Sequence, residues 1–100
     1  MAIDKDPEGI QSTILHELID FKGLRVLEVG CGDGRITWCF ADQAAHVTAI
    51  DPDGAAIKEA RVNLPEALKS RVVFLESTLE NFVESSQNRR FDLAIFSWSL

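Results

Sequence analysis

Cysteine, proline and basic residues are all scarce in this chain of 100 residues, and each scarcity excludes something. The two cysteines, Cys31 and Cys39, stand eight positions apart, which fits neither a CxxC redox pair nor a metal-knuckle spacing. They read as free thiols, and no metal site is expected. Three prolines and six glycines are too few for a collagen-like or low-complexity chain. Ten Lys and Arg stand against sixteen Asp and Glu, a formal net charge of −6. That balance opposes a phosphate backbone, because nucleic-acid affinity rests on cations neutralising phosphates, so no nucleic-acid partner is expected. No apolar run approaches the ~18 residues of a membrane span, and the opening residues MAIDKDP lack the apolar stretch of a secretion signal. The expected location is the cytoplasm, with no membrane contact.

What is present is an ordinary globular composition, 46% hydrophobic, sufficient for one compact domain. Ile10, Ile14, Leu15, Leu18 and Ile19 recur at helical spacing, so residues 9–20 are expected to form an amphipathic helix, ended at Gly23. Residues 24–29, β-rich and stopped by glycines, suit a buried strand. Ile36, Cys39 and Phe40 at i, i+3 and i+4 predict a second helix running to about Ala44. Residues 46–50 read as a second strand halted by Asp51 and Pro52. Asp53 is the expected N-cap of a third helix through Ile57, Ala60 and Leu64, which Pro65 interrupts, leaving a short turn over 65–70. Residues 71–75 form a third strand, Leu79, Phe82 and Val83 a brief helix, and residues 91–96 a fourth strand after a polar turn. Strands alternating with helices are the signature of an α/β fold, a parallel sheet with helices on its faces.

The densest chemical signal is EVGCGDG, residues 28–34, where three of the six glycines lie between a predicted strand and a predicted helix. Glycine there permits positive φ and lets a ligand lie against bare backbone. A tight turn without a ligand would need fewer glycines. The dinucleotide fingerprint GxGxxG would place its third glycine at position 35, which is Arg35; here it falls at Gly34. Glu28 and Asp33 bracket the loop, and carboxylates repel a pyrophosphate. The loop therefore suits a ligand that carries positive charge and no phosphate, and S-adenosylmethionine is such a ligand. Asp51, 21 positions after Gly30 at the end of the second strand, can accept hydrogen bonds from both ribose hydroxyls of a nucleoside. A nicotinamide cofactor would use an acid at the same place, so Asp51 alone does not separate the two.

These segments resemble the class I S-adenosylmethionine-dependent methyltransferases. VLEVGCGDGR (26–35) looks like their first motif, and VTAIDPD (47–53) like the second, whose acid binds the ribose. Residues 73–82 resemble the third-strand region that frames the adenine, and FDLAIFSWSL (91–100) the fourth-strand motif. The resemblance implies a Rossmann-like three-layer α/β/α fold with parallel strands ordered 3-2-1-4. It assigns Gly30, Gly32 and Gly34, with Cys31, to the methionine moiety, and Asp51 with Pro52 to the ribose side. Glu28 would orient the loop or meet the cofactor ammonium. At the adenine, Ser77 and Thr78 stand where many members carry Gly-Asp, so the Thr78 hydroxyl and the Leu79 backbone N–H are the expected contacts, with Glu80 the nearest acid. Ser97, at the end of the fourth strand, completes the expected cofactor set.

The implied activity is methyl transfer by in-line displacement to a small-molecule acceptor. The Asn/Asp-Pro-Pro-aromatic motif of amino-methyltransferases is absent, and SWSL (97–100) stands in its place. Trp98 reads as a substrate wall or as a core or interface residue. His16 and His46 read as structural or surface residues, and no general base is identified. The alternatives are a nicotinamide-dependent oxidoreductase fragment and a non-catalytic module that holds a nucleoside cofactor. Because the family continues past the fourth strand, this chain is expected to hold the cofactor-binding part of a larger domain. The C-terminal half of its sheet would be missing, leaving a fourth-strand edge for a partner chain.

Overall fold

A computed structural model of the chain describes residues 18–85 and 90–97. The expected first helix lies outside the described residues except for 18–20, and so do His16 and Trp98. Four strands form the sheet: β1 (Arg25–Val29), β2 (His46–Asp51), β3 (Val72–Glu76) and β4 (Leu93–Phe96). All pair in parallel in the order β3-β2-β1-β4, as the resemblance implies. Two helices join them, α1 (Gly54–Asn63) and α2 (Leu79–Ser85).

The side chains of each strand alternate between two faces, and each face has its own cover. Val26, Val47, Ala49, Val72, Phe74 and Ile95 turn one face toward Ile57 and Ala60 of α1 and toward Phe40. Phe21 stacks on Phe40 with centroids 4.8 Å apart, and Trp38 meets Phe74 edge-on at 5.7 Å. Leu27, Val29 and Ile50 turn the other face toward Phe82 of α2, with Leu75 and Phe91 alongside. The result is the three-layer arrangement that strand–helix alternation implies.

Local chemistry sets the ends of the elements. Asp53 is the N-cap of α1: its carboxylate accepts from the N–H groups of Ala55 and Ala56 at 3.0 and 3.2 Å. Leu64, extended before Pro65, ends the helix, and a 3₁₀ turn, Glu66–Leu68, follows. The second predicted helix is corrected. Residues 36–44 contain only a 3₁₀ turn, Thr37–Cys39, followed by bonds of mixed i−3 and i−4 span. Thr37, Trp38, Cys39 and Phe40 are all weak helix formers, and Thr37 turns its hydroxyl inward to a buried acid.

Candidate functional site

Parallel strands bring their C-terminal ends to one edge of the sheet, and the sequence puts its glycine loop and its acids there. The loop leaves β1 at Val29, and the Gly30 and Cys31 N–H groups both donate to the Ile50 carbonyl, at 2.8 and 3.2 Å. Its course needs positive φ at Gly32 (55°) and Gly34 (97°). The two glycines answer to different neighbours. A Cβ on Gly34 would stand 2.7 Å from Cζ2 of Trp38, so this position is kept bare by core packing. A Cβ on Gly32 would meet nothing within 4 Å, so the space above it is open.

Asp51 ties the loop to the next turn. Its Oδ2 accepts from the Gly32 N–H at 2.9 Å and its Oδ1 from the Asp53 N–H at 2.8 Å. The Asp51 carbonyl accepts from the Ser77 N–H at 3.0 Å, joining the third strand end to the same centre. An ionised carboxylate has about four lone-pair sites, so the half-buried Asp51 keeps capacity for further donors.

Beside Asp51 opens a cavity of about 350 Å³. Val29, Ile50, Pro52 and Leu79 give it apolar walls, and Asp51, Thr78 and Glu80 its polar rim. The structure thus brings Gly30, Asp51, Pro52, Thr78 and Leu79 together around one space, as expected from the sequence. Thr78 is the cap of α2: its Oγ1 accepts from the Asn81 N–H at 3.1 Å, which leaves its hydroxyl proton to donate. The Leu79 N–H sits in the first turn of α2, where helix donors have no intrahelical partner. Val29 and Ile50 line the same space and were not singled out in the sequence, and Ser77 lines it where the resemblance set it beside the adenine. The signal for Val29 and Ile50 was position alone, at the C-terminal ends of β1 and β2.

Glu28, Cys31 and Ser97 are placed differently. Glu28 is fully buried, on the face of β1 opposite Val29, and its two oxygens accept from the hydroxyls of Thr37 and Ser97. Ile95 is the register partner of Glu28, and Ser97, two residues on, shares the Ile95 face and so reaches the same carboxylate. Burial pushes the Glu28 carboxyl up to about 7, against the opposing pull of the Ser97 and Thr37 bonds, with Asp51 adding repulsion. With no exposed surface, its side chain is a brace beneath the loop. Ser97 spends its hydroxyl on that brace. Cys31 packs in the core, its thiol directed at the Gly32 carbonyl at 3.7 Å. Burial first, then the Glu28 and Asp51 charges, push that thiol well above its ordinary range, so it stays protonated and unreactive. Thr37, the third member of the brace, was missed in the sequence. Its signal was a hydroxyl among the apolar residues of 36–40.

The cavity fits a nucleoside that carries a cation. Apolar walls suit a flat base, the spare lone pairs of Asp51 suit vicinal hydroxyls, and the acids Asp51 and Glu80 disfavour phosphate. No group of three or more His, Cys, Asp or Glu side chains suited to a metal ion occurs among the described residues. Among them, too, no helix is long and apolar enough to cross a membrane.

Comparison with known proteins gives consistent matches. The family described as a methyltransferase domain matches over residues 26–100. The ubiquinone biosynthesis O-methyltransferase of Xylella fastidiosa (strain M23) is 42% identical over 69 residues, covering 58% of this chain and 28% of that protein. The chain therefore spans less than a third of the length of that relative. Among solved structures, the precorrin 8W decarboxylase of Methanobacterium thermoautotrophicum superposes with a TM-score of 0.75 at 23% identity, over 95% of this chain and 50% of that one, a likeness of fold. The Trypanosoma brucei PRMT1 enzyme–prozyme complex with AdoHcy matches with a TM-score of 0.72 at 26% identity, over 92% of this chain and 29% of that one.

Proposed function

The chain belongs to the methyltransferase-domain family, the class I S-adenosylmethionine-dependent group, and from that premise we propose that it forms the cofactor-binding part of an enzyme methylating a small-molecule acceptor. One observation carries the reading. Asp51 holds the glycine loop through Gly32 and still faces a nucleoside-sized cavity with unused acceptor capacity. When bound, S-adenosyl-L-methionine supplies a methyl group already activated on a sulfonium.

The residues of this chain would bind and orient. Asp51 would accept from the two ribose hydroxyls, with Pro52 closing that side. Val29, Ile50 and Leu79 would sandwich the adenine, and the Thr78 hydroxyl and Leu79 N–H would meet its edge. Gly30 and Gly32 would leave room for the methionine portion over bare backbone, while Gly34 holds the loop by its packing on Trp38. Glu28, Thr37 and Ser97 would fix the loop from below, so that it needs little reorganisation on binding. The acids around the cavity favour a cationic ligand and repel pyrophosphate, which weighs against the nicotinamide alternative. A small-molecule acceptor is supported by the net charge of −6 and by the name of the Xylella relative, an enzyme of ubiquinone biosynthesis.

Titration calorimetry with S-adenosylhomocysteine and, separately, with NAD tests the reading. Saturable binding of the first and none of the second is expected. Binding of NAD in place of S-adenosylhomocysteine would overturn it. Release of S-adenosylhomocysteine from labelled cofactor in the presence of acceptor separates an enzyme from a module that only holds the cofactor.

A further inference from the structure

A second groove, of about 460 Å³, opens toward the N-terminal ends of the strands and reaches along β3 to Leu75, the register partner of Ile50 in the cofactor cavity. It sits on the face of the sheet covered by α2. The period-two alternation of the strands turns Arg25, His46, Thr48, Val73 and Leu75 toward that face, and all five line the groove. Arg90 and Phe91, entering β4, line it as well. Along β2, His46 in this groove stands five residue steps, roughly 16 Å, from Asp51 at the cofactor cavity.

Two features set the groove apart from an ordinary gap in packing. Thr48 is only 2% exposed, yet its hydroxyl has no hydrogen-bond partner among the described residues. Buried hydroxyls are nearly always paired, so an unpaired one lining a groove marks a place for a ligand group. The charge is the second feature. Arg25 shares its charge with Asp92, 3.6 Å away, whereas Arg90 has no ion-pair partner among the described residues. Among the described residues the groove thus keeps the Arg90 charge without a paired acid, in a chain whose net charge is −6. Val73, Leu75 and Phe91 supply apolar contact beside it.

We propose that this groove binds a small organic monoanion, a carboxylate joined to a flat apolar body. The carboxylate would face the Arg90 guanidinium and accept from the Thr48 hydroxyl, with the His46 ring as a further donor. The body would lie against Phe91, Val73 and Leu75. A dianion fits less well, because Asp92 already neutralises Arg25 and would repel the second charge.

Benzoate serves as the probe, titrated into the full 100-residue chain labelled with nitrogen-15 and followed by nuclear magnetic resonance. Saturable shifts are expected at the Thr48, Val73 and Phe91 amides, with those of Asp51 and Thr78 unmoved. Benzamide, neutral, and phenyl phosphate, a dianion, should both bind more weakly. Arg90→Gln, an exposed change, should weaken benzoate roughly tenfold through loss of a charge-assisted contact. Thr48→Val should weaken it about fivefold while the melting temperature stays level or rises, since an unpaired buried hydroxyl is replaced by a methyl. Absence of saturable shifts at these amides would overturn the proposal. So would benzamide or phenyl phosphate binding as tightly as benzoate, or an unchanged affinity in Arg90→Gln.

Discussion

The backbone N–H of Gly32 donates to Oδ2 of Asp51 at 2.9 Å, linking the loop after the first strand to the acid that ends the second. The two residues are 19 positions apart, and parallel pairing of β1 with β2 brings them together. The glycine loop thus takes its shape partly from the side chain that would hold the ribose. Shape and binding capacity are two effects of one carboxylate.

Gly32 and Gly34 should respond differently to alanine. Gly34→Ala would force a side chain into φ 97° and press its Cβ to 2.7 Å from the Trp38 ring. A loss of roughly 2–4 kcal/mol of stability is expected, with a changed tryptophan emission. Gly32→Ala, at φ 55° with open space beyond, should cost only about 1 kcal/mol and keep the fold. Its effect should fall on S-adenosylhomocysteine affinity. Urea denaturation and calorimetry on both variants check the contrast, and equal stability losses would contradict it.

Glu28 predicts a pH dependence of stability. Its carboxyl is held at about 7 in the folded chain, above the ordinary value of 4.5. The folded state therefore keeps the proton longer than the unfolded one. This contribution to stability is complete below pH 4.5 and is lost as pH rises through 7. Between pH 5 and 8 the loss should be roughly 2–3 kcal/mol. Glu28→Gln carries no such titration, so urea midpoints of the two proteins should converge toward pH 5 and separate, in favour of the variant, toward pH 8. A pH-independent difference would remove Glu28 as the source.

Asp53 caps α1 through two backbone N–H groups without any contact to the expected cofactor cavity. Asp53→Ala should cost about 1 kcal/mol of stability. Cofactor affinity should fall by no more than about twofold, because the cap acts on the helix and only the Asp53 N–H, which alanine retains, meets Asp51. Thermal denaturation and calorimetry on the same preparation check both parts.

Much of this was legible in the sequence, and the reasons are specific. The parallel α/β class followed from strand–helix alternation, and the strand order from the resemblance of the motifs to the methyltransferases. Asp53 and Pro65 marked the start and end of α1 through chemistry that does not depend on distant neighbours. Asp51 was found because its place after the second strand is fixed by the fold. Residues 36–44 misled, since apolar spacing is blind to the pull of a buried acid on Thr37. The contact between Glu28 and Ser97 was also hidden: they are 69 positions apart, and only strand register shows that they meet. The groove around Thr48 was invisible for a similar reason, being assembled from one face of three strands and the approach to a fourth.

The most direct test of the proposed function is the affinity of Asp51→Ala for S-adenosylhomocysteine, measured by titration calorimetry beside the unaltered chain. Circular dichroism should first show that the variant remains folded. Removal of charge-assisted hydrogen bonds to the ribose predicts a loss of about 1.5–3 kcal/mol, or roughly 10- to 150-fold in affinity. An affinity unchanged in the folded variant would take Asp51 out of the site and contradict the assignment of the cavity to the nucleoside.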